Sequence, residues 1–319
     1  MDDIFEQKMI SPMLIGTEGA AFDSPDYIYE LKLDGIRCLA YLDDSGVELR
    51  NKRNLRVAHI YPELAKIHKQ VKTRCILDGE LLVMKDGRPY FAEMQRRSLM
   101  SDHFKISLAA AKLPVSFTAF DILYLGDSPV NELPLMERKN LLASTVQESD
   151  RLAVSRYIEE QGTALYRLAE ENGLEGIVGK RKNSLYYFGK RTHDWIKSKN
   201  LLDDDFVICG YIRKEKGVVS LVLGQYGAGM YGDGILQYKG HVTSGVGGAD
   251  FERIAAAPAG KNPPFQIVPK GNENAIWLKN GLVGTVKYME KTAFGGLRQP
   301  VFKGLRDDKM PGDCVERLS

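Results

Sequence analysis

Residues 27–37 (YIYELKLDGIR) constrain the fold of this chain more than any other stretch. The segment opens with a run of apolar and aromatic residues that predicts a β-strand, and it breaks at Asp34-Gly35, a pair typical of turns. Lys32 stands just before the turn, where a side chain can be held at the mouth of a pocket. Gly35 permits the torsions of a tight turn, and Arg37 is close enough to reach an anion near Lys32. Taken alone, the segment is more typical of a hairpin with a solvated lysine.

The composition is that of a soluble globular protein from a reducing compartment. With 319 residues, 44% of them hydrophobic and 27% charged, the chain has room for one large domain or two ordinary ones. Its four cysteines lie far apart and form no C-x-x-C pair, which argues against a zinc site or a disulfide framework. The acidic N-terminus has no apolar signal core, and no apolar run is long enough to span a membrane. We therefore expect a cytoplasmic protein with no membrane partner.

The charge pattern leaves nucleic-acid binding to local clusters. A formal net charge of +2 gives no strong overall field. Two segments, residues 50–56 and 180–199, are basic. Each is compatible with a solvated surface and also with a grip on phosphate groups.

Two carboxylates stand beside apolar runs, where a charge is costly to bury unless it is paired or bound to a cation. Glu80 lies within residues 75–84 (CILDGELLVM), although Asp78-Gly79 could also be an ordinary turn. Glu175 begins residues 175–180 (EGIVGK). Residues 195–199 (WIKSK) alternate so that Lys197 and Lys199 share one face of a strand. Residues 61–71 have the spacing of a helix.

A change in composition at residues 201–205 (LLDDD) marks the predicted domain boundary, which separates a domain of residues 1–202 from one of residues 203–319. Short strands and glycine-rich turns dominate the second part and predict a small β-barrel. Residues 227–232 match G-x-G-x-x-G, but a strand follows them instead of a helix. They therefore predict a hairpin turn and not a dinucleotide site.

Taken together and in order, six motifs resemble those of the covalent nucleotidyltransferases, specifically the ATP-dependent DNA ligases. They are Lys32-x-Asp34-Gly35-x-Arg37, Asp78-Gly79-Glu80, Phe120-Asp121, Glu175-Gly176-Ile177-Val178-Gly179-Lys180, Trp195-Ile196-Lys197-Ser198-Lys199 and Arg306-Asp307-Asp308-Lys309. The segments Ser184-x-Tyr186, Gly189-x-Arg191 and Phe302-Lys303-Gly304-Leu305 are similar to compact bacterial ligases and to the ligase module of bacterial end-joining enzymes. One departure lies at Asn51-Lys52-Arg53-Asn54, where such ligases usually carry Ser-Arg-x-Gly. Lys52 is expected to replace the arginine, with Arg50 and Arg53 as alternatives.

The resemblance implies an α+β fold. It consists of an adenylation (nucleotidyltransferase, ATP-grasp-like) domain with antiparallel sheets and helices, followed by a small OB-fold β-barrel. The implied reaction seals nicks or breaks between 3′-hydroxyl and 5′-phosphate ends through a lysyl–AMP intermediate, in DNA repair. Because a free lysine with a pKa near 10.4 is almost fully protonated at neutral pH, nearby cations are expected to help activate it.

The resemblance also implies roles for individual residues. Lys32 is the expected nucleophile, and Glu30 and Phe120 are expected to recognise adenine. Glu80 and Glu175 are the expected ligands of the ribose and of a divalent metal, Mg or Mn. The catalytic set is Lys32, Lys197, Lys199, Arg306, Asp308 and Lys309. The ATP-binding set is Glu30, Leu31, Arg37, Lys52, Glu80, Phe120, Lys197 and Lys199. Asp308 is expected to hold Arg306 and Lys309, which would swing in about a mobile joint near residues 203–205.

The implied partners are nicked or broken double-stranded DNA and end-binding repair proteins, with the chain acting as a monomer. DNA contacts are expected at Arg50, Arg53, Gln95, Arg97, Arg181 and Lys182, mainly to phosphates. Two alternatives stay open within the same superfamily: a ligase that prefers RNA-containing ends and an RNA-capping guanylyltransferase that uses GTP. A third alternative is a non-catalytic nucleic-acid binder, which would carry no covalent nucleotide.

Overall fold

The computed structural model describes residues 3–227, 234–292 and 295–316. The chain divides into two compact units, residues 1–200 and 201–319, and each is described by itself. Most of the hairpin turn predicted at residues 227–232 lies outside the described residues. In the part of the chain that the structure describes, no helix is both long and apolar enough to cross a membrane.

The first unit combines antiparallel sheets with short helices. Its strands are β1 (Leu14–Glu18), β2 (Tyr27–Leu31), β3 (Ile36–Asp43), β4 (Gly46–Asn51), β5 (Cys75–Lys85), β6 (Arg88–Pro89), β7 (Val115–Leu125), β8 (Ser128–Pro129), β9 (Leu152–Val154), β10 (Tyr157–Glu159), β11 (Gly176–Arg181) and β12 (Arg191–Lys199). Its helices are α1 (Ile4–Gln7), α2 (Phe91–Ser98), α3 (His103–Lys112), α4 (Leu135–Thr145) and α5 (Gly162–Glu171).

The strands of this unit form two sheets. The first sheet has the order β1-β12-β11-β2-β10, in which only the β1–β12 pairing is parallel. The second sheet has the order β4-β3-β5-β7-β8, with β6 and β9 at its margins. A shared apolar core lies between them, since Ile28, Val178 and Trp195 of the first sheet join the same cluster as Leu39 and Ile76 of the second. Helix α5 packs on the outer face of the first sheet, where Ala169 contacts the cluster of Tyr27, Tyr29 and Ile177.

The prediction of a helix over residues 61–71 is wrong. The segment instead forms 3₁₀ turns at Pro62–Leu64 and Ile67–Gln70. Leu64 and Ile67 are buried in the core on the outer face of the second sheet, so tertiary packing decides the local conformation.

The second unit has a sheet with the order β15-β14-β13-β16-β17. Its elements are β13 (Leu202–Arg213), β14 (Val219–Tyr226), β15 (Leu236–Val242), α6 (Gly248–Ala256), β16 (Ile276–Tyr288) and β17 (Val301–Leu305). Both faces of the sheet are apolar: Ile254 of α6 packs on one, and Phe265 on the other. Closure of these strands into a barrel stays a prediction.

The mobile joint predicted near residues 203–205 is placed wrongly. These residues lie inside β13, where Asp203, Asp204 and Asp205 are in register with Lys287, Val286 and Thr285 of β16. A segment bonded along its length to a neighbouring strand cannot act as a flexible link.

A buried ion pair connects α4 to the second sheet and predicts a large effect on stability. The Arg138 guanidinium donates to both carboxylate oxygens of Asp121, at 2.8 and 2.9 Å, and neither side chain is exposed. Arg138→Met would leave a buried carboxylate unpaired, which typically costs about 3–5 kcal/mol. Urea unfolding, followed by Trp195 fluorescence in a Trp277→Phe background, would measure this loss of unfolding free energy for the first unit alone.

The matched control is Arg156→Met. Arg156 pairs with Glu148 in the same unit, but its side chain is 79% exposed. The control should unfold at the same urea concentration as the parent, because exposed ion pairs contribute little. Equal behaviour of the two variants would contradict the importance of the buried pair.

Candidate active site

Lys32 lies where β2 leaves the first sheet. Its backbone N–H donates to the Gly176 carbonyl at 2.8 Å, which extends the pairing of β2 with β11 by one bond. Its Nζ is 2.8 Å from Oε1 of Glu175, whose side chain is only 4% exposed. Burial raises the pKa of Glu175, while Lys32 opposes that shift. The nucleophile predicted from the sequence is therefore held by the carboxylate predicted to bind metal.

The registers of three strands bring two further lysines to this end of the sheet. Val178 pairs with both Glu30 and Lys197, and Gly176 pairs with Lys199. Residues paired directly across strands share a face, so Lys197 and Lys199 lie on the same face as Glu30. Burial and the neighbouring Lys197 lower the pKa of Lys199.

Glu18 on β1 is a member of this group that the sequence reasoning missed. It pairs with Lys197 in register, and its Oε2 lies 3.1 Å from Nζ of Lys197 and 3.9 Å from Nζ of Lys199. No local pattern marks Glu18, because β1 reaches β12 only through the fold.

Glu80 enters the site from the second sheet. It is in register with Arg37 of β3, directly after the turn that follows Lys32. Burial raises the pKa of Glu80 to about 8, against the opposing effects of Lys32 and Arg37, and Glu175 adds to the rise. Lys32, Glu80 and Glu175 therefore share one electrostatic environment.

Arg37 is engaged by protein groups. Its Nε and Nη2 donate to the two oxygens of Asp78 at 3.0 and 2.6 Å, and Nη2 also donates to the Tyr186 hydroxyl at 3.3 Å. Asp78 is fully buried and balances the guanidinium charge. An anion-binding role for Arg37 stays a prediction, while its observed contacts brace β3 against β5.

Phe120 and Leu31, two more residues of the predicted ATP-binding set, have different neighbours. Phe120 meets Trp195 edge-on with ring centroids 6.2 Å apart, and Nζ of Lys180 lies 4.5 Å from the Phe120 centroid. Leu31 packs with Ile177 in the cluster beneath α5, on the face opposite Glu30. Leu31 could thus contact a nucleotide only through its backbone.

Glu30 sits in a buried cluster with partners that sequence reasoning did not find. It pairs with Lys139 and, at 3.1 Å, with Lys180, and it accepts a hydrogen bond from the Ser155 hydroxyl at 2.8 Å. A sequence signal for Lys139 does exist. Arg138 and Lys139 stand three and four residues after buried Leu135, at the spacing that marks the inward face of a helix.

In the second unit, the predicted tail residues are held by two carboxylates instead of one. Arg306 donates to both oxygens of Asp308 at 2.8 and 2.6 Å, and this contact lowers the pKa of Asp308 to about 2. Lys309 pairs instead with Asp205, whose Oδ1 is also 3.6 Å from Arg306. Asp308 thus holds Arg306 as expected, whereas the ion-pair partner of Lys309 is Asp205.

The DNA-binding prediction for Arg97 is wrong, because its side chain is fully buried and donates to Glu63 and to the Ile60 carbonyl. Arg50 is largely buried and bonds to Glu48 and to the Asn54 carbonyl. The remaining candidates reach the surface to different extents. Arg53, Gln95 and Arg181 are exposed, whereas Lys182 is half-buried and paired with Glu159. Lys52, which the resemblance implies as an ATP contact, is also exposed, and that role stays a prediction.

The donor set fits a divalent cation only in part. Within the described ranges, no group of three or more His, Cys, Asp or Glu side chains is placed to hold a metal ion. Glu80 and Glu175 supply the hard oxygen ligands that Mg²⁺ or Mn²⁺ prefers, and such ions commonly combine one or two carboxylates with substrate phosphate. The pair fits an ion that binds together with a nucleotide.

The tight turn after Lys32 predicts a strong effect of Gly35→Ala. A Cβ at position 35 would lie 2.2 Å from the Leu81 carbonyl oxygen and 2.9 Å from Cγ of Glu80. The glycine thus serves a close approach between chain segments and not a left-handed torsion. Because the turn must shift, covalent labelling by α-phosphate-labelled ATP should fall about 100-fold. Gly19→Ala, where the added Cβ meets nothing within 4 Å, is the control; equal labelling of both variants would refute the prediction.

The raised pKa of Glu80 predicts a pH-dependent stability. Because the ionised form is disfavoured in the folded protein, the stabilising contribution is complete below the ordinary pKa of 4.5 and is lost as the pH rises towards about 8. Glu80→Gln should therefore reduce the loss of unfolding free energy between about pH 5 and about pH 9. Urea unfolding at each pH, followed by Trp195 fluorescence in the Trp277→Phe background, measures the free energy of unfolding. Glu170→Gln, at an exposed position on α5, should leave the pH profile unchanged.

Comparisons with known proteins show the family of this chain. The family profile for the ATP dependent DNA ligase domain matches residues 13–199, and that for the ATP dependent DNA ligase C terminal region matches residues 214–309. The multifunctional non-homologous end joining DNA repair protein LigD of Mycobacterium tuberculosis is 31% identical over 321 residues, 98% of this chain and 40% of that protein. The SPbeta prophage-derived DNA ligase-like protein LigB of Bacillus subtilis is 29% identical over 93% of this chain and 99% of that protein. The chain therefore spans about two fifths of the length of the LigD relative.

Solved structures support the same assignment. Mycobacterial DNA ligase D complexed with ATP and MES matches with a TM-score of 0.55 and 28% identity, over 97% of this chain and 99% of that chain. The ligase domain of LigD from M. tuberculosis matches with a TM-score of 0.54 at the same identity and coverage. The α+β fold is that of a ligase adenylation domain followed by an OB-fold-type domain. The chain belongs to the ATP-dependent DNA ligases.

Proposed function

We propose that this chain seals nicks or breaks in double-stranded DNA through an AMP carried on Lys32. The observation that supports this best is the position of Lys32, whose Nζ lies 2.8 Å from buried Glu175. Lys197 and Lys199 stand at the same end of the sheet. An amine among cations and carboxylates is suited to attack a phosphorus atom, because the cations offset the charge that develops on the phosphate.

The proposed reaction has three steps. Lys32 Nζ attacks the α-phosphorus of ATP, so that a nitrogen–phosphorus bond forms, pyrophosphate leaves and the amine loses a proton. An oxygen of the DNA 5′-phosphate then attacks the same phosphorus, the nitrogen–phosphorus bond breaks, and the Lys32 amine leaves after it regains a proton. Finally, the 3′-hydroxyl attacks the 5′-phosphate, loses its proton and expels AMP as the phosphodiester bond forms.

In the first step, Glu175 has a position suited to two tasks. It orients the Lys32 amine, and its oxygen is within hydrogen-bond distance of the proton that must leave. A bound divalent metal, Mg or Mn, would be held by Glu80 and Glu175 and would neutralise negative charge on the substrate phosphates. Lys197 and Lys199 would exchange their contacts with Glu18 for contacts with the triphosphate.

The proposal also covers the DNA contacts, the repair pathway and the roles of the two domains. The exposed side chains Arg53, Gln95 and Arg181 are the proposed contacts to DNA phosphates, and Lys52 is a proposed contact to ATP. By similarity to LigD, we assign the chain to end-joining repair in the cytoplasm, as a monomer that works with end-binding repair proteins. The proposed functional domains are residues 1–202 and 203–319. Arg306, Asp308 and Lys309 of the second are proposed to orient pyrophosphate.

Labelling with α-phosphate-labelled ATP tests the covalent step. The parent should acquire one AMP per chain, and mass spectrometry of peptides should place it on Lys32. Lys32→Ala should abolish labelling, because among the described residues Lys32 is the amine paired with Glu175 at the end of β2. Lys72→Ala, at an exposed lysine of the same unit, is the control and should label normally.

Nicked duplexes distinguish the remaining possibilities. An all-DNA nick should be sealed, and sealing should weaken steeply with salt as phosphate contacts are screened. A covalent GMP formed in preference to AMP would favour a guanylyltransferase. Preference for a nick with RNA at its ends would favour the RNA-joining alternative. Persistence of covalent AMP in Lys32→Ala would overturn the proposal.

A further inference from the structure

Glu18, on the edge strand β1, covers two lysines of the candidate site from the solvent side. Its Oε2 lies 3.1 Å from Nζ of Lys197 and 3.9 Å from Nζ of Lys199. The Glu18 side chain is 46% exposed, whereas the lysine side chains are 27% and 15% exposed. The carboxylate thus lies farther out than both ammonium groups, and a ligand that approaches them from solvent meets it first.

The backbone fixes Glu18 in this position. β1 runs parallel to β12, and Glu18 is in register with Lys197. The residues on either side are bonded to β12 as well. The Thr17 hydroxyl is hydrogen-bonded to Nδ1 of His193 at 2.8 Å, and the Gly19 N–H donates to the Lys197 carbonyl at 3.1 Å. The Glu18 side chain can therefore leave the lysines by rotation, without unpairing the two strands.

The charges explain why a carboxylate is needed here. Burial lowers the pKa of Lys199, and Lys197 and Lys32 add to that effect. Glu18 opposes it more than Glu175 does, and so favours the ammonium form. Carboxylates and phosphates bind the same lysine donors, so the two compete for them. Because a partly exposed ion pair contributes little, Glu18 can hold the lysines and still be displaced.

We propose that Glu18 is a positioning residue that holds Lys197 and Lys199 in the unliganded protein and competes with polyphosphates for them. The proposal rests on the proposed function, in which these lysines contact the triphosphate. Before ATP binds, the carboxylate keeps two like charges side by side. After pyrophosphate leaves, it takes the lysines back and so weakens rebinding of that product. Glu18 therefore lowers the affinity of the site for polyphosphates.

Two substitutions of Glu18 and one matched control separate this role from a general effect of charge. Glu18→Gln keeps the size of the side chain but removes the competing charge. Glu18→Asp keeps the charge. The control is Glu159→Gln, because Glu159 also pairs with a lysine, Lys182, and its side chain is 50% exposed. Glu159 lies on β10, at the opposite edge of the same sheet, so the control removes the same charge away from the site.

The experiment measures the dissociation constant of inorganic tripolyphosphate by titration calorimetry, and the KM and maximum rate of labelling by α-phosphate-labelled ATP. Glu18→Gln should lower the dissociation constant and the KM about two- to fivefold, the range expected for an exposed ion pair. The maximum rate should stay unchanged, because Glu18 acts on binding and not on the reacting atoms. Pyrophosphate should inhibit labelling more strongly. Glu18→Asp and Glu159→Gln should remain close to the parent.

A Lys197→Met background tests whether the effect passes through the lysines. There, Glu18→Gln should change the binding of tripolyphosphate less than it does in the parent, because residues in contact are coupled. An equal change in both backgrounds would overturn the proposal.

The remaining outcomes are equally decisive. Tighter binding in Glu18→Gln but not in Glu159→Gln supports the proposal. Equal changes in both variants, weaker binding in Glu18→Gln, or a parent that binds no tripolyphosphate overturns it. A parent that binds tripolyphosphate and forms no covalent AMP would overturn the proposed function instead, and the tripolyphosphate titrations would still decide the role of Glu18.

Discussion

The site depends on a short link between two sheets, the residues between the end of β2 and the start of β3. At one end, the Lys32 amide donates to Gly176 and ties the link to the first sheet. At the other, Gly35 approaches Leu81 so closely that no side chain fits, which ties it to the second sheet. Because both ends are fixed, Lys32 of the link lies beside Glu175 of the first sheet and interacts electrostatically with Glu80 of the second. A rigid link of this kind positions a nucleophile more reliably than a long loop.

Charge balance is the second constraint on this site. Lys32 pairs with Glu175, and Lys197 and Lys199 lie near Glu18. The cations that would bind a triphosphate are therefore already compensated in the protein alone. Burial without such compensation would be very unfavourable, so in the proposed reaction the cations would exchange carboxylates for phosphates when substrate binds.

Much of the site could be predicted because its residues lie in local patterns. Lys32 stands before a turn pair, Glu80 and Glu175 stand beside apolar strands, and Lys197 and Lys199 alternate along one strand. Arg97 shows where such reasoning fails, since a basic residue on an amphipathic helix is as compatible with a buried pair as with a DNA contact. Glu18, Ser155 and Asp205 could not be predicted, because each meets its partners across strands or turns that only the fold brings together.

The sequence by itself determined which chemical groups the protein has and the order of its motifs, because those depend on residue type and short spacing. It also determined most strand positions, since alternation of apolar residues reflects burial on a sheet. Only the tertiary structure decided which carboxylate pairs with which lysine, that residues 203–205 belong to a strand and that residues 61–71 form 3₁₀ turns. These outcomes depend on contacts between segments far apart in the chain, and the energy of burying a charge is set by all of its neighbours at once.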